Sequence, residues 1–125
     1  MIASDALLFA AAVLLVVTAL AHSVFGEQRL IGPLLARREG VLASELARLV
    51  LRFAWHLTSV TWAVLALILV QLVREPATAR LWAVAGTGVA FTGVGLFDAV
   101  ATRGRHIGWP LLTGIGLAAL LSLLL

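Results

Sequence analysis

The chain has 125 residues, 62% of them hydrophobic and only 12% charged, against about 25% charged in an average soluble domain. That much apolar surface excludes a water-soluble globule of one domain and makes lipid the solvent for most of the chain. The absence of cysteine excludes thiol redox chemistry, thiolate metal sites and disulfides, and the net charge of +3 rests on arginines in short connections, which fits membrane topology and anionic headgroups better than nucleic acid.

In chain order, the N-terminal residues carry no basic cluster, and the first apolar run, 6–25, is about 20 residues. That is too long for a signal-peptide core and predicts a retained helix over about 5–25. Leu30, Ile31, Leu34 and Leu35 follow at helical spacing, with Arg37 and Arg38 behind them. They predict a short helix lying on the membrane surface, broken around Gly32 and Pro33 and ended at Gly40. Ser44 is placed to cap a second long helix, about 44–73. Residues 74–80 make a turn with Pro76 as breaker, a third helix covers 81–101, a turn with Gly104 covers 102–106, and a fourth helix covers 107–125. Trp109 and Pro110 suit the first turn of that last helix.

Each apolar run is long enough to cross a hydrocarbon core of about 30 Å as a helix. Lipid admits only helices or closed barrels, and the runs lack the alternation of strands. Short turns force neighbouring helices to be antiparallel. The predicted fold is therefore all-α, an up-down bundle of four transmembrane helices with a short cytoplasmic surface helix. Gly86 and Ala90 match the small-xxx-small pattern that lets helices approach in lipid. Arg29, Arg37, Arg38, Arg48, Arg52, Arg103 and Arg105 gather at one end and only Arg74 and Arg80 at the other. The positive-inside rule then puts both termini outside and the arginine-rich end in the cytoplasm. The chain has no lysine, asparagine or tyrosine; this bias suggests a bacterial protein, and so the inner membrane.

The polar residues share a depth. His22, His56 and Asp98 each lie about three residues, roughly 4.5 Å, inside the apolar run of a different helix at the arginine-rich end. His106 enters the fourth helix at the same level, and Glu27, Arg52, Arg103 and Arg105 lie just outside it. An ionisable group in hydrocarbon costs roughly 2.5–3.5 kcal/mol on insertion scales, so His22, His56 and Asp98 are expected to face one shared pocket. Asp98 is expected to neutralise Arg52, Arg103 or Arg105.

Three ligands suit such a cluster. His22, His56 and His106, with Glu27 and Asp98, could hold a metal ion. His22 and His56 could ligate haem b from two sides. Arg52, Arg103 and Arg105 could hold an anionic lipid headgroup. This favours a ligand-holding module over a catalyst, with membrane lipid as partner and a second copy or a membrane complex as further partners. Other readings are an ion or proton relay, a structural subunit of a complex, and a membrane enzyme acting on lipid with His22 or His56 as general base.

A His-Ser-x-x-Gly-Glu end to helix one (His22, Ser23, Gly26, Glu27), a Trp-His pair in helix two (Trp55, His56) and an Arg-His-x-x-Trp entry to helix four (Arg105, His106, Trp109) complete the pattern. Over most of its length the chain resembles a group of small uncharacterised bacterial integral membrane proteins. The resemblance implies a four-helix membrane fold and no particular activity.

Overall fold

The computed structural model describes residues 3–124. Helix α1 runs Ala3–Gly26, a π-helical turn covers Glu27–Ile31 and α2 follows as Gly32–Ala36. A 3₁₀ turn, Gly40–Ala43, leads into α3, Glu45–Arg74. A second, Pro76–Thr78, leads into α4, Ala79–Ala101; α5 is Gly108–Leu121. The result is an all-α four-helix bundle. Three helices are long and apolar enough to cross a membrane, and α5 is a shorter apolar helix.

Two local features differ from the expectation, and one meets it with an added contact. The chain does not break at Gly32 and Pro33. It stays helical from α1 into α2, because the amide of Gly32 bonds to the carbonyl of Glu27 and shifts the ladder by one residue. Proline lacks an amide and its ring collides with the carbonyl four residues back; the wider π turn just before Pro33 accommodates both problems without a break. Second, α3 is capped by Ser44 as expected, its hydroxyl accepting from the Ala47 amide at 3.4 Å. Its lead-in is held from the other side as well: Arg48 donates to the carbonyls of Leu42 and Ala43. Third, α5 ends at Leu121, short of the expected 125. The amides of Leu123 and Leu124 bond three residues back, a tightened terminal turn; Leu125 lies outside the described residues. With 14 residues, α5 is about 21 Å long at 1.5 Å per residue.

The α1–α3, α3–α4 and α4–α5 pairs run antiparallel, as their facing residues show, and α1–α3 and α4–α5 are the closest pairs, joined along α3–α4. On α1, Ala12 and Ala19 are buried at a seven-residue spacing. Gly26 continues that stripe, where a Cβ would lie 2.6 Å from the Trp55 ring. On α4, Gly88, Gly95, Asp98 and Thr102 are the buried stripe. Here backbones meet: a Cβ on Gly116 of α5 would lie within 3 Å of the Gly88 carbonyl, and one on Gly95 would strike the Thr113 backbone. Gly86, from the predicted pattern, instead faces Leu67 of α3. Small residues at a seam allow the dispersion contacts that drive helix association in lipid. The outer faces expose many large apolar side chains, including Leu7, Leu14, Val89 and Val100, as a lipid-facing surface requires.

Candidate functional site

The end of the bundle where α1 finishes, α3 begins, α4 finishes and α5 begins gathers the polar residues into two groups and two cavities.

The first group joins α1 to α3. The His22 ring stacks on Trp55, centroids 4.1 Å apart and planes 10° from parallel, with Trp62 edge-on at 5.1 Å. The indole N–H of Trp55 donates to the His22 carbonyl at 3.1 Å, and His22 Nε2 lies 3.2 Å from the Trp55 carbonyl. Gly26, one helical turn beyond His22, leaves the space the indole occupies. One step along, Ser23 bridges His56 Nδ1 at 3.0 Å and Ser59 at 2.8 Å, and Ser59 donates to the Ala19 carbonyl. Glu27, at the start of the π turn, accepts from Arg52 at 2.8 Å and lies 3.3 Å from His56 Nε2. His22 and Gly26, and Ser23 and Glu27, are pairs four apart, so the whole His-Ser-x-x-Gly-Glu segment is a helix edge laid on α3.

The second group joins α4 to α5. After Ala101 the chain reverses through Arg103 and Gly104, both at positive φ (53° and 71°). The Gly104 amide reaches back to the Ala99 carbonyl and the Arg103 amide to Val100, a helix-ending pattern that satisfies the last carbonyls. The reversal swings His106 back over the helix end, where its Nδ1 meets Asp98 Oδ2 at 2.5 Å. Asp98 is completely buried and Thr102 nearly so. The Thr102 hydroxyl donates to the Asp98 backbone carbonyl and Arg105 Nε donates to the Thr102 carbonyl. The partner of Asp98 is thus His106, and not Arg52, Arg103 or Arg105 as expected. Arg105 reaches toward Glu45 instead, at 3.9 Å.

The residues predicted as one pocket divide accordingly. His22, half-buried in its aromatic clasp, does not line the cavity that Asp98 lines. His56 and Asp98 do line one cavity, of about 210 Å³, with Leu49, Arg52, Phe53, Phe97, Ala101 and Thr102. Arg103 is exposed and enters none of these networks. Another cavity, of about 250 Å³, lies between α2 and the start of α3, lined by Gly32, Leu35, Ala36, Arg38, Glu45, Arg48, Leu49 and Arg52. Arg38, Arg48 and Glu45 were not singled out as site residues; the signal for them was the run of arginines flanking α3.

The histidines do not converge. Among the described residues no group of three His, Cys, Asp or Glu side chains is arranged to hold a metal ion. Haem held between His22 and His56 would need both rings to leave their present partners, Trp55 and Ser23. The donor set therefore fits neither group as it stands.

The sequence matches no protein-family model, and no curated protein or solved structure matches it.

Proposed function

We propose that this membrane protein binds the phosphate of a lipid headgroup at its arginine-rich end, which the positive-inside rule assigns to the cytoplasmic leaflet. The observation that carries this reading is the cavity lined by Arg38, Arg48 and Arg52, with Glu45 as its one acidic wall residue. The Glu45 side chain is 72% exposed, so it does little to neutralise the interior of the site. Arg48 spends only one terminal nitrogen on the Leu42 and Ala43 carbonyls, and a guanidinium carries five N–H donors in a planar fork. Such forks match phosphate oxygens two at a time. Gly32, Leu35, Ala36 and Leu49 form the apolar part of the same wall and suit the glycerol and first methylenes of a lipid. The headgroup layer lies at this depth, so the ligand is already at high local concentration.

The test is native mass spectrometry of delipidated protein offered phospholipid in detergent. The Arg38→Gln/Arg52→Gln variant should retain about thirtyfold less phospholipid, because each of the two basic side chains contributes about 1 kcal/mol toward anionic groups near a membrane surface. Arg74→Gln/Arg80→Gln, at the opposite end, should retain as much as the unaltered protein. Equal retention by both double variants would refute the reading.

A further inference from the structure

The two cavities share a wall, since Leu49 and Arg52 line both. Their chemistry is opposite. The first concentrates guanidinium groups. The second has, on otherwise largely apolar walls, a fully buried carboxylate, Asp98.

That carboxylate is half satisfied. Asp98 Oδ2 has His106; Asp98 Oδ1 is buried with no hydrogen-bond partner among the described residues. The donors nearby are directed at other acceptors. The Thr102 hydroxyl donates to a backbone carbonyl, one terminal nitrogen of Arg52 to Glu27, and Arg105 Nε to the Thr102 carbonyl. The two nitrogens of His56 face Ser23 and Glu27. Leu49, Phe53, Phe97 and Ala101, the rest of the wall, have no side-chain donor to offer. Buried carboxylate oxygens are ordinarily met by a donor, and an unmet one in a native protein marks a place for a missing partner.

We infer that the second cavity receives the ammonium group of a phospholipid whose phosphate lies in the first, that is, an ethanolamine-type headgroup. This rests on the phosphate reading of the arginine-lined cavity. In such a headgroup two carbons separate phosphate oxygen from nitrogen, so adjacent sites of opposite charge with one shared wall match it. The ammonium brings three donors and a positive charge to Asp98 Oδ1. Phe53 and Phe97, their ring centroids 6.4 Å apart, both line this cavity, and aromatic rings attract cations. A choline headgroup has the charge but no N–H donor. A glycerol headgroup has donors but no charge to meet the carboxylate.

The experiment offers delipidated protein an equimolar mixture of phosphatidylethanolamine, phosphatidylcholine and phosphatidylglycerol with identical acyl chains, and reads the bound species by native mass spectrometry. Ethanolamine lipid should exceed each of the others about tenfold, a difference of one good charge-assisted hydrogen bond. Asp98→Asn, which keeps the side-chain shape, should bring ethanolamine and choline lipid to near parity while total phospholipid stays within about twofold, because the arginine cavity is untouched. Ala101→Leu fills the second cavity without altering the Asp98–His106 pair and should do the same, which keeps the test decisive if Asp98→Asn fails to fold. Soluble glycerophosphoethanolamine, added in excess, should displace little lipid; efficient displacement would point to a soluble ligand and overturn the lipid assignment. Equal retention of the three lipids by the unaltered protein, or selectivity that survives both substitutions, would overturn the inference and leave the phosphate reading standing. No phospholipid retained at all would overturn both.

Discussion

Two seams of this bundle bury polar groups at the same depth by different means. Between α1 and α3, side chains meet side chains. His22 lies on Trp55, Ser23 ties His56 to Ser59, and Glu27 gathers Arg52 and His56. The polar atoms there find partners within the protein, and the ion pair at its edge is part-exposed. Between α4 and α5, backbones meet through Gly88, Gly95 and Gly116. That close approach leaves room for few side chains, and a single carboxylate is sealed in with one histidine. The difference is between polar groups that are met and one that is not. The richer network has spent its hydrogen-bonding capacity on holding helices together, and the sparser one has an acceptor to spare.

The sharpest way to break that contrast is to remove one histidine from each seam. His106→Ala leaves a buried carboxylate without the one side-chain partner it has among the described residues, which in buried pairs costs about 3–5 kcal/mol. His56→Ala leaves Glu27 with Arg52 in a part-exposed setting, where such pairs contribute at most about 1 kcal/mol. Thermal unfolding in detergent should therefore show a large loss for the first and a small one for the second; the opposite order would mean that the α1–α3 network is the one under strain.

A smaller difference is expected from the glycines. Gly116→Val puts its Cβ against the Gly88 carbonyl and the Thr92 amide, groups that cannot turn aside, and overpacking of this kind costs about 2–3 kcal/mol. Gly26→Ala first meets the Trp55 ring, a side chain that can shift where a backbone cannot, so about 1 kcal/mol is expected. Comparable losses from the two changes would show that the indole is held as rigidly as a backbone.

The smallest effect sharpens the account of the turn that brings His106 home. Arg103 sits at φ 53°, a left-handed conformation that costs a residue with a Cβ about 1–2 kcal/mol. Glycine removes that cost and returns about 0.5–1 kcal/mol of it as added freedom in the unfolded chain. Arg103→Gly should therefore raise stability by about 0.5 kcal/mol and shift the melting midpoint slightly upward. A fall would mean that the Arg103 side chain contributes a contact of its own.

How much of this was legible in the sequence follows from the physics of each signal. Helix existence, the Ser44 cap and the shared depth of His22, His56 and Asp98 could be read directly, because hydropathy, cap chemistry and residue counting are local. Partner choice could not. Whether His22 turns toward Asp98 or Trp55 depends on the rotation of α1 about its axis, and Trp55 is 33 positions away. Gly104 marks the turn that delivers His106 to Asp98, but the turn begins at Arg103, also at positive φ, and nothing local says that the two left-handed residues together swing His106 back onto Asp98. The π turn was hidden for a similar reason. Proline after glycine signals a break, and nothing local says that one shifted hydrogen bond will absorb it. The early end of α5 was also silent, since the apolar run continues past it.

The shortness of α5 bears on how the chain enters the membrane. Its 14 residues fall below the roughly 17 that a segment needs to cross on its own, so the insertion machinery has little reason to release it into lipid as an independent unit. α4 has the complementary difficulty, because it arrives carrying a buried acid. Asp98 and His106 are eight positions apart and leave the ribosome almost together. The two helices are then best inserted as a hairpin, the acid meeting its histidine and the short helix meeting its glycine-lined neighbour in the same event. α1 has no such companion at hand: Ser23 and His22 wait for residues more than thirty positions downstream. The polar contacts of the C-terminal half are thus local in sequence, and those of the N-terminal half span more than thirty positions.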